Sequence, residues 1–200
     1  MSNRFKALGG VIVVAFTLAI GVNTASATTA NFGSIGYPAT LSGGTTLQLF
    51  TETGELLCLG ETSGELAAKS ASISLAPKYN ACVLGAKATT PTMEGCTYTL
   101  VAGTLIFGGS EGWMNVVCPS EKEMKFTAGN CVISIPPTSE SGPVTYENEE
   151  EAEDRVFARI KVGLKYSMNN KCGPAEGTYK GLFLGLFEIR SSNLAVWVRE

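Results

Sequence analysis

Enzyme chemistry needs proton carriers, nucleophiles or metal ligands, and this sequence offers an uneven set. It contains no histidine. That single absence excludes Ser-His-Asp and Cys-His catalysis and every His-ligated metal site. The string Gly108-Gly109-Ser110-Glu111-Gly112 fits the G-x-S-x-G nucleophile elbow, which needs a strand-turn-helix context and a histidine base. Here the flanks Thr104 to Phe107 and Met114 to Cys118 both read as strands, so a glycine-rich hairpin turn is expected instead. A Ser/Lys dyad has no S-x-x-K to stand on.

Carboxylates are what remains. Asp and Glu number 18, with Asp154 the one aspartate, and two glutamates could in principle serve a glycoside hydrolase. No pair identifies itself. The densest group is Glu147, Glu149, Glu150, Glu151, Glu153 and Asp154. It falls between two strand candidates, where a solvated loop tip is the ordinary reading. Calcium binding by this run lacks the spaced ligands and glycine of an EF-hand loop. Trp113 and Trp197, with Tyr37, Tyr98, Tyr146, Tyr166 and Tyr179, could stack sugars, although such aromatics more often fill a β core. No catalytic residue, cofactor or metal is assigned, and the chain reads as a non-enzyme.

The other chemically distinctive residues are Cys58, Cys82, Cys96, Cys118, Cys131 and Cys172. None forms C-x-x-C, which argues against zinc and thioredoxin-like redox work. An even number of cysteines in an exported chain reads as three structural disulfides, whose connectivity spacing alone leaves open. Cys118 and Cys131 end and begin runs that bracket Met124 to Ala128, which makes a local clasp between them one option.

Export is read from the first 27 residues. Arg4 and Lys6 precede an apolar stretch from Ala7 to Ile20, and Ala25-Ser26-Ala27 offers a cleavage site. Those 14 residues fall short of the roughly 20 that a membrane span requires, so a signal peptide at 1–27 and a mature chain without a transmembrane segment are expected. Losing Arg4 and Lys6 takes the 15 basic residues to 13 against 18 acidic, a mature charge of −5. With no basic cluster, nucleic acid is an unsuitable partner.

The elements that would position these residues are strands. Glycine is abundant, at 23, and β-branched residues are frequent. Alternation is clearest from Val156 to Ser167, with Val156, Ala158, Ile160, Val162, Leu164 and Tyr166 on one face and Arg159, Lys161 and Lys165 on the other. Tyr179 to Ile189 carries apolar residues on both faces, including Leu182, Leu184 and Leu186, and reads as a central strand covered on both sides. Further candidates are Thr45 to Thr51, Glu55 to Leu59, Glu65 to Leu75, Thr97 to Phe107, Met114 to Cys118, Met124 to Ala128, Cys131 to Ile135, Val144 to Tyr146 and Asn193 to Val198. The expectation is an all-β fold, a disulfide-stapled antiparallel β-sandwich of about ten strands. Residues 28–36 are read as a flexible leader and 37–200 as one domain.

Several stretches resemble a group of uncharacterised secreted proteins of actinobacteria: Gly36 to Gly43, Val117-Cys118-Pro119, Thr127 to Cys131 running to Ile135-Pro136-Pro137, Gly163 to Tyr166, Cys172, and Gly177 to Gly181. The resemblance brings no activity. It implies an extracellular β domain with structural cysteines, paired Cys58 with Cys82, Cys96 with Cys172, and Cys118 with Cys131. The functional expectation is a secreted, non-catalytic binding or structural protein at the cell surface or in the extracellular matrix. Its partner would be a protein, the cell wall or itself. The alternatives are a glutamate-pair glycoside hydrolase and a surface subunit that assembles by adding its leader strand to a neighbour.

Overall fold

The computed structural model describes residues 29–34, 39–66, 69–107, 109–149, 155–191 and 195–199. The signal segment therefore lies outside the described residues. So do Tyr37, Gly108, and Glu150 to Asp154 of the acidic run.

The described strands, in chain order, are β1 (Asn31–Ser34), β2 (Ala39–Thr51), β3 (Gly54–Leu66), β4 (Ser72–Leu84), β5 (Lys87–Thr92), β6 (Thr97–Ile106), β7 (Gly109–Val117), β8 (Met124–Ala128), β9 (Cys131–Ile135), β10 (Thr138–Asn148), β11 (Arg155–Met168), β12 (Gly177–Ser191) and β13 (Val196–Arg199). The all-β expectation holds, but the sandwich does not. The ladder runs β10-β7-β6-β4-β3-β2-β12-β11, and β10 pairs back onto β11 through Val144↔Ile160 to Asn148↔Val156. That pairing closes an eight-stranded antiparallel barrel, which removes the open sheet edges a sandwich keeps.

Five long strands, β4, β3, β2, β12 and β11, make one continuous wall, and its two outer members each change partner along their length. β4 pairs β6 through Ser72–Leu75 and β5 through Cys82–Leu84. β11 pairs β10 near its start and β9 at Ser167 and Met168. The strands β5, β8 and β9 thus arch across the far end of the same wall, joined β5–β8 and β8–β9. Gly129 takes a φ of 62° in the tight β8–β9 turn, a region glycine enters without steric cost.

Alternation decides which side chains fill the interior. On β11, every even residue from Val156 to Met168 is buried, and Arg159, Lys161 and Lys165 point to solvent. Tyr98, Tyr146, Tyr166, Phe126, Phe183 and Phe187 are fully buried, with Tyr98 edge-on to Phe187 at 5.1 Å between centroids. The barrel interior is therefore a packed core. Fully burying each such side chain stabilises by about 1.5–3 kcal/mol.

The stretch read as a flexible leader contains β1, which pairs β13 from Asn31↔Arg199 to Ser34↔Val196. Its other edge is also engaged. The Phe32 and Ser70 amides donate to each other's carbonyls, and the Ala30 amide donates to the Gly103 carbonyl. Phe32 is buried edge-on to Tyr146 at 5.1 Å, so this ribbon is anchored to the barrel end by its own core residue.

All six cysteines form disulfides: Cys58–Cys82, Cys96–Cys118 and Cys131–Cys172. The first agrees with the pairing implied by the resemblance, and the other two replace Cys96–Cys172 and the Cys118–Cys131 clasp. Register explains the change. Cys58 and Cys82 are direct cross-strand partners, and Cys96 and Cys118 sit one step beyond the Thr97↔Val117 pair. Cys131 opens β9, whose Val132 amide donates to the Asn169 side chain, which brings the Cys172 loop alongside.

Candidate functional site on the outer wall

The serine of the elbow-like string points inward. Ser110 lies on β7 opposite Leu105 and Tyr146, is fully buried, and its hydroxyl has no hydrogen-bond partner among the described residues. It faces the core and cannot meet a solvent-borne substrate. The aromatic platform is likewise dispersed. Tyr98, Tyr146 and Tyr166 are interior, Tyr179 stacks on Tyr166 at 5.8 Å, Trp113 is on the outside of β7, and Trp197 lies over Gly33 with Arg199 4.2 Å above its ring.

The carboxylates that the structure describes near the acidic run are held by guanidinium groups. Glu147 accepts from Arg159 at 3.0 Å. Glu149 pairs with Arg155, which donates to Glu188 at 3.1 Å, and Glu188 also accepts from Arg190 Nε at 2.7 Å. This chain of opposite charges runs along the outside of β11 and β12. Among the described residues, no group of three or more Cys, Asp or Glu side chains converges as a metal site.

Glu188 leads to a depression on the outer wall. Gly43 on β2 passes so close to β12 that a Cβ there would meet the Glu188 carbonyl oxygen at 1.5 Å; only glycine permits that approach. Gly60 on β3 approaches the Lys78 carbonyl in the same way, at 2.4 Å from a built Cβ. On the outer face, Gly44 carries no side chain opposite Glu61, and a shallow groove of about 580 Å³ opens there, lined by Ser42, Gly44, Gly60, Glu61, Glu188 and Arg190. A second hollow of about 290 Å³ continues it, sharing Gly44, Gly60 and Glu188 and adding Leu59, Phe157 and Leu186. One end of the site is charged and the other apolar.

The apolar end belongs to a band across the wall. Ladder register sets Leu59, Thr46, Leu186 and Arg159 in one row, Leu57, Gln48, Leu184 and Lys161 in the next, and Glu55, Phe50, Leu182 and Gly163 in a third. Leu59 is 50% exposed and Phe50 41%. Leu182 is exposed, and Leu184 and Leu186 are half-buried, so β12 is covered on one side, not two. The sequence signal was ambiguous here, because an apolar run looks the same whether a second layer or a partner covers it. Glutamates border the band on β3 (Glu55, Glu61) and cations border it on β11 (Arg159, Lys161).

Comparison with known proteins adds no assignment: no family model matches the chain, and no curated protein or solved structure matches it. Among the described residues, no helix is long and apolar enough to cross a membrane.

Proposed function

We propose that this chain is a secreted, non-catalytic barrel with a binding or structural role at the cell surface or in the extracellular matrix, acting through the outer face of its long wall. The observation that carries the reading is the exposed apolar band of Phe50, Leu57, Leu59 and Leu182 beside the glycine-floored groove. A contiguous apolar patch on a soluble protein marks an interaction site. Covering it gains about 25 cal/mol for each Å² of apolar area removed from water, whereas the interior is filled by its own tyrosines, phenylalanines and leucines. Three disulfides suit an oxidising extracellular compartment.

One observation favours the hydrolase reading. Glu61 and Glu188 line the same groove. Against it, Glu188 accepts from two guanidinium groups, an arrangement that holds a carboxylate as an ion-pair partner and not as a proton donor to a leaving group.

The test uses the mature chain and its L59E/L186E variant, both checked for native near-UV circular dichroism. Each is incubated with washed envelope and matrix material from producing cells and with a panel of polysaccharides. The proposal expects adsorption at least tenfold weaker in the variant and no release of reducing ends. Equal adsorption by both proteins, or catalytic release of reducing ends, would overturn it.

A further inference from the structure

We infer that the apolar band is a self-association face, and that its occupant is a second copy of this chain packed by two-fold symmetry. This deepens the outer-wall reading and rests on it. The argument is the order of charges across the band. Strands β3, β2, β12 and β11 are consecutive neighbours. Glu55 and Glu61 flank Leu57 and Leu59 on the first, Phe50, Leu182, Leu184 and Leu186 stand in the middle beside Thr46 and Gln48, and Lys161 and Arg159, the latter also held by Glu147, stand on the last. Neither Glu61 nor Lys161 forms an ion pair among the described residues.

A two-fold axis lying in the contact plane, parallel to the strands and midway between β2 and β12, reverses the order of strands while keeping their direction. It lays the acidic border of each copy on the cationic border of the other, and Leu182, Leu184 and Leu186 of each copy on Phe50, Gln48 and Thr46 of the other. An axis across the strands would set like charge on like, which is strongly disfavoured. The pattern is therefore self-complementary in one orientation, as an isologous contact requires. In that orientation Glu61 stands one ladder row from Arg159 of the other copy, about 7 Å along the strand, a gap that the two long side chains span.

The size of the band sets the strength. Three inter-strand gaps make it roughly 14 Å wide, and a convex barrel wall cannot extend the contact far beyond. Such an interface belongs to the small, transient class below about 1,200 Å², so a concentration-dependent dimer is expected in place of a permanent one.

The experiment is sedimentation velocity of the mature disulfide-bonded chain over a wide concentration range. The wild type should pass from monomer to dimer. L182E, which sets a carboxylate on Phe50 of the other copy, should weaken association at least tenfold, as should E61R and R159E singly, since each of those two turns both border contacts repulsive. An equimolar mixture of E61R and R159E should recover wild-type association, because one copy then carries only arginine at positions 61 and 159 and the other only glutamate. A wild-type monomer at every concentration, or a dimer indifferent to these substitutions, would overturn the inference. A strict monomer that still adsorbs to envelopes through Leu59 would refute the second copy and leave the outer-wall reading standing. A dimer with the expected variant pattern but no adsorption would establish the second copy and remove the envelope partner.

Discussion

The hydroxyl of Tyr79 lies 3.2 Å from that of Tyr98, and both rings are buried inside the barrel. Tyr79 comes from β4 and Tyr98 from β6, which part company after the Leu75↔Tyr98 pair. The hydrogen bond therefore ties together strands beyond the point where their ladder ends. Tyr79 also packs against Phe126 of the β8 arch at 6.2 Å, and Tyr98 against Phe187 of the long wall. The hydroxyl pair thus sits where the two closures of the barrel meet.

Removing one hydroxyl strands the other in an apolar core. Tyr98→Phe or Tyr79→Phe should each cost about 1–3 kcal/mol. The double variant should cost clearly less than the sum, since two apolar rings leave no orphaned group. A double-mutant cycle by urea unfolding measures the coupling; additive losses would mean the hydroxyls act independently.

Burial pushes the hydroxyl pKa of Tyr79, Tyr98 and Tyr146 above the ordinary value of 10.0. The folded state holds these protons after the unfolded chain has released them. Stability from this source is therefore complete below pH 10 and falls as pH rises past it, by about 1.4 kcal/mol per pH unit for each tyrosine still protonated. Chemical unfolding from pH 8 to 11.5 should show a decline that steepens above pH 10. Tyr79→Phe should make it shallower, and an unchanged slope would contradict the assignment.

The side chain of Asn148 does the work of a missing strand. It accepts from the Val198 amide at 2.8 Å and donates to the Val198 carbonyl at 2.9 Å, satisfying both backbone groups of β13 at its edge. Asn148→Ala should destabilise by about 1–2 kcal/mol and speed amide exchange at Val198 more than at β11 amides. Equal protection in variant and wild type would show that the cap is dispensable.

How much of this was legible in the sequence depended on range. The β11 face was readable because its alternation is local, each buried residue two positions from the next. Leu182, Leu184 and Leu186 were misassigned because hydropathy reports a side chain's chemistry and not what lies against it. Closure through Val144↔Ile160 was invisible for a related reason, as sandwich and barrel strands share one periodicity and differ only in which distant strand pairs last. Cys96–Cys118 was missed because the register joining β6 to β7 comes from the whole hairpin. Ser110 had the spacing of a nucleophile, but parity along β7 turns it inward. The groove had a weak signal in Gly43, Gly44 and Gly60, three glycines within strands, which point to close backbone approach.

Glycine at 43 is demanded by the neighbouring backbone. Gly43→Ala places a methyl against the Glu188 carbonyl, and β2 and β12 must separate to admit it. A loss of about 1–3 kcal/mol or more is expected, with reshaping of the groove. Gly163→Ala is the matched control, because a Cβ there meets nothing within 4 Å. Thermal unfolding of the two should differ by several degrees. Indistinguishable midpoints would show that the wall yields at Gly43 without cost.

Disulfide pairing offers the most direct check on the register. Proteolysis without reduction, followed by mass spectrometry, should yield peptides linking Cys58 with Cys82, Cys96 with Cys118, and Cys131 with Cys172. Cys131 and Cys172 are separated by 41 positions and Cys58 and Cys82 by 24, so the chain-entropy argument assigns the greater stabilisation to the Cys131–Cys172 link. Replacing both Cys131 and Cys172 by alanine should cost about 2–4 kcal/mol and free the loop at Cys172 from Val132. Replacing Cys58 and Cys82 should cost less on loop length, but it also empties a buried site on the long wall, where Cys58 is fully enclosed. If the second pair proves the more damaging, core packing at Cys58 outweighs loop entropy. Recovery of Cys96–Cys172 or Cys118–Cys131 peptides would contradict the β6–β7 register itself.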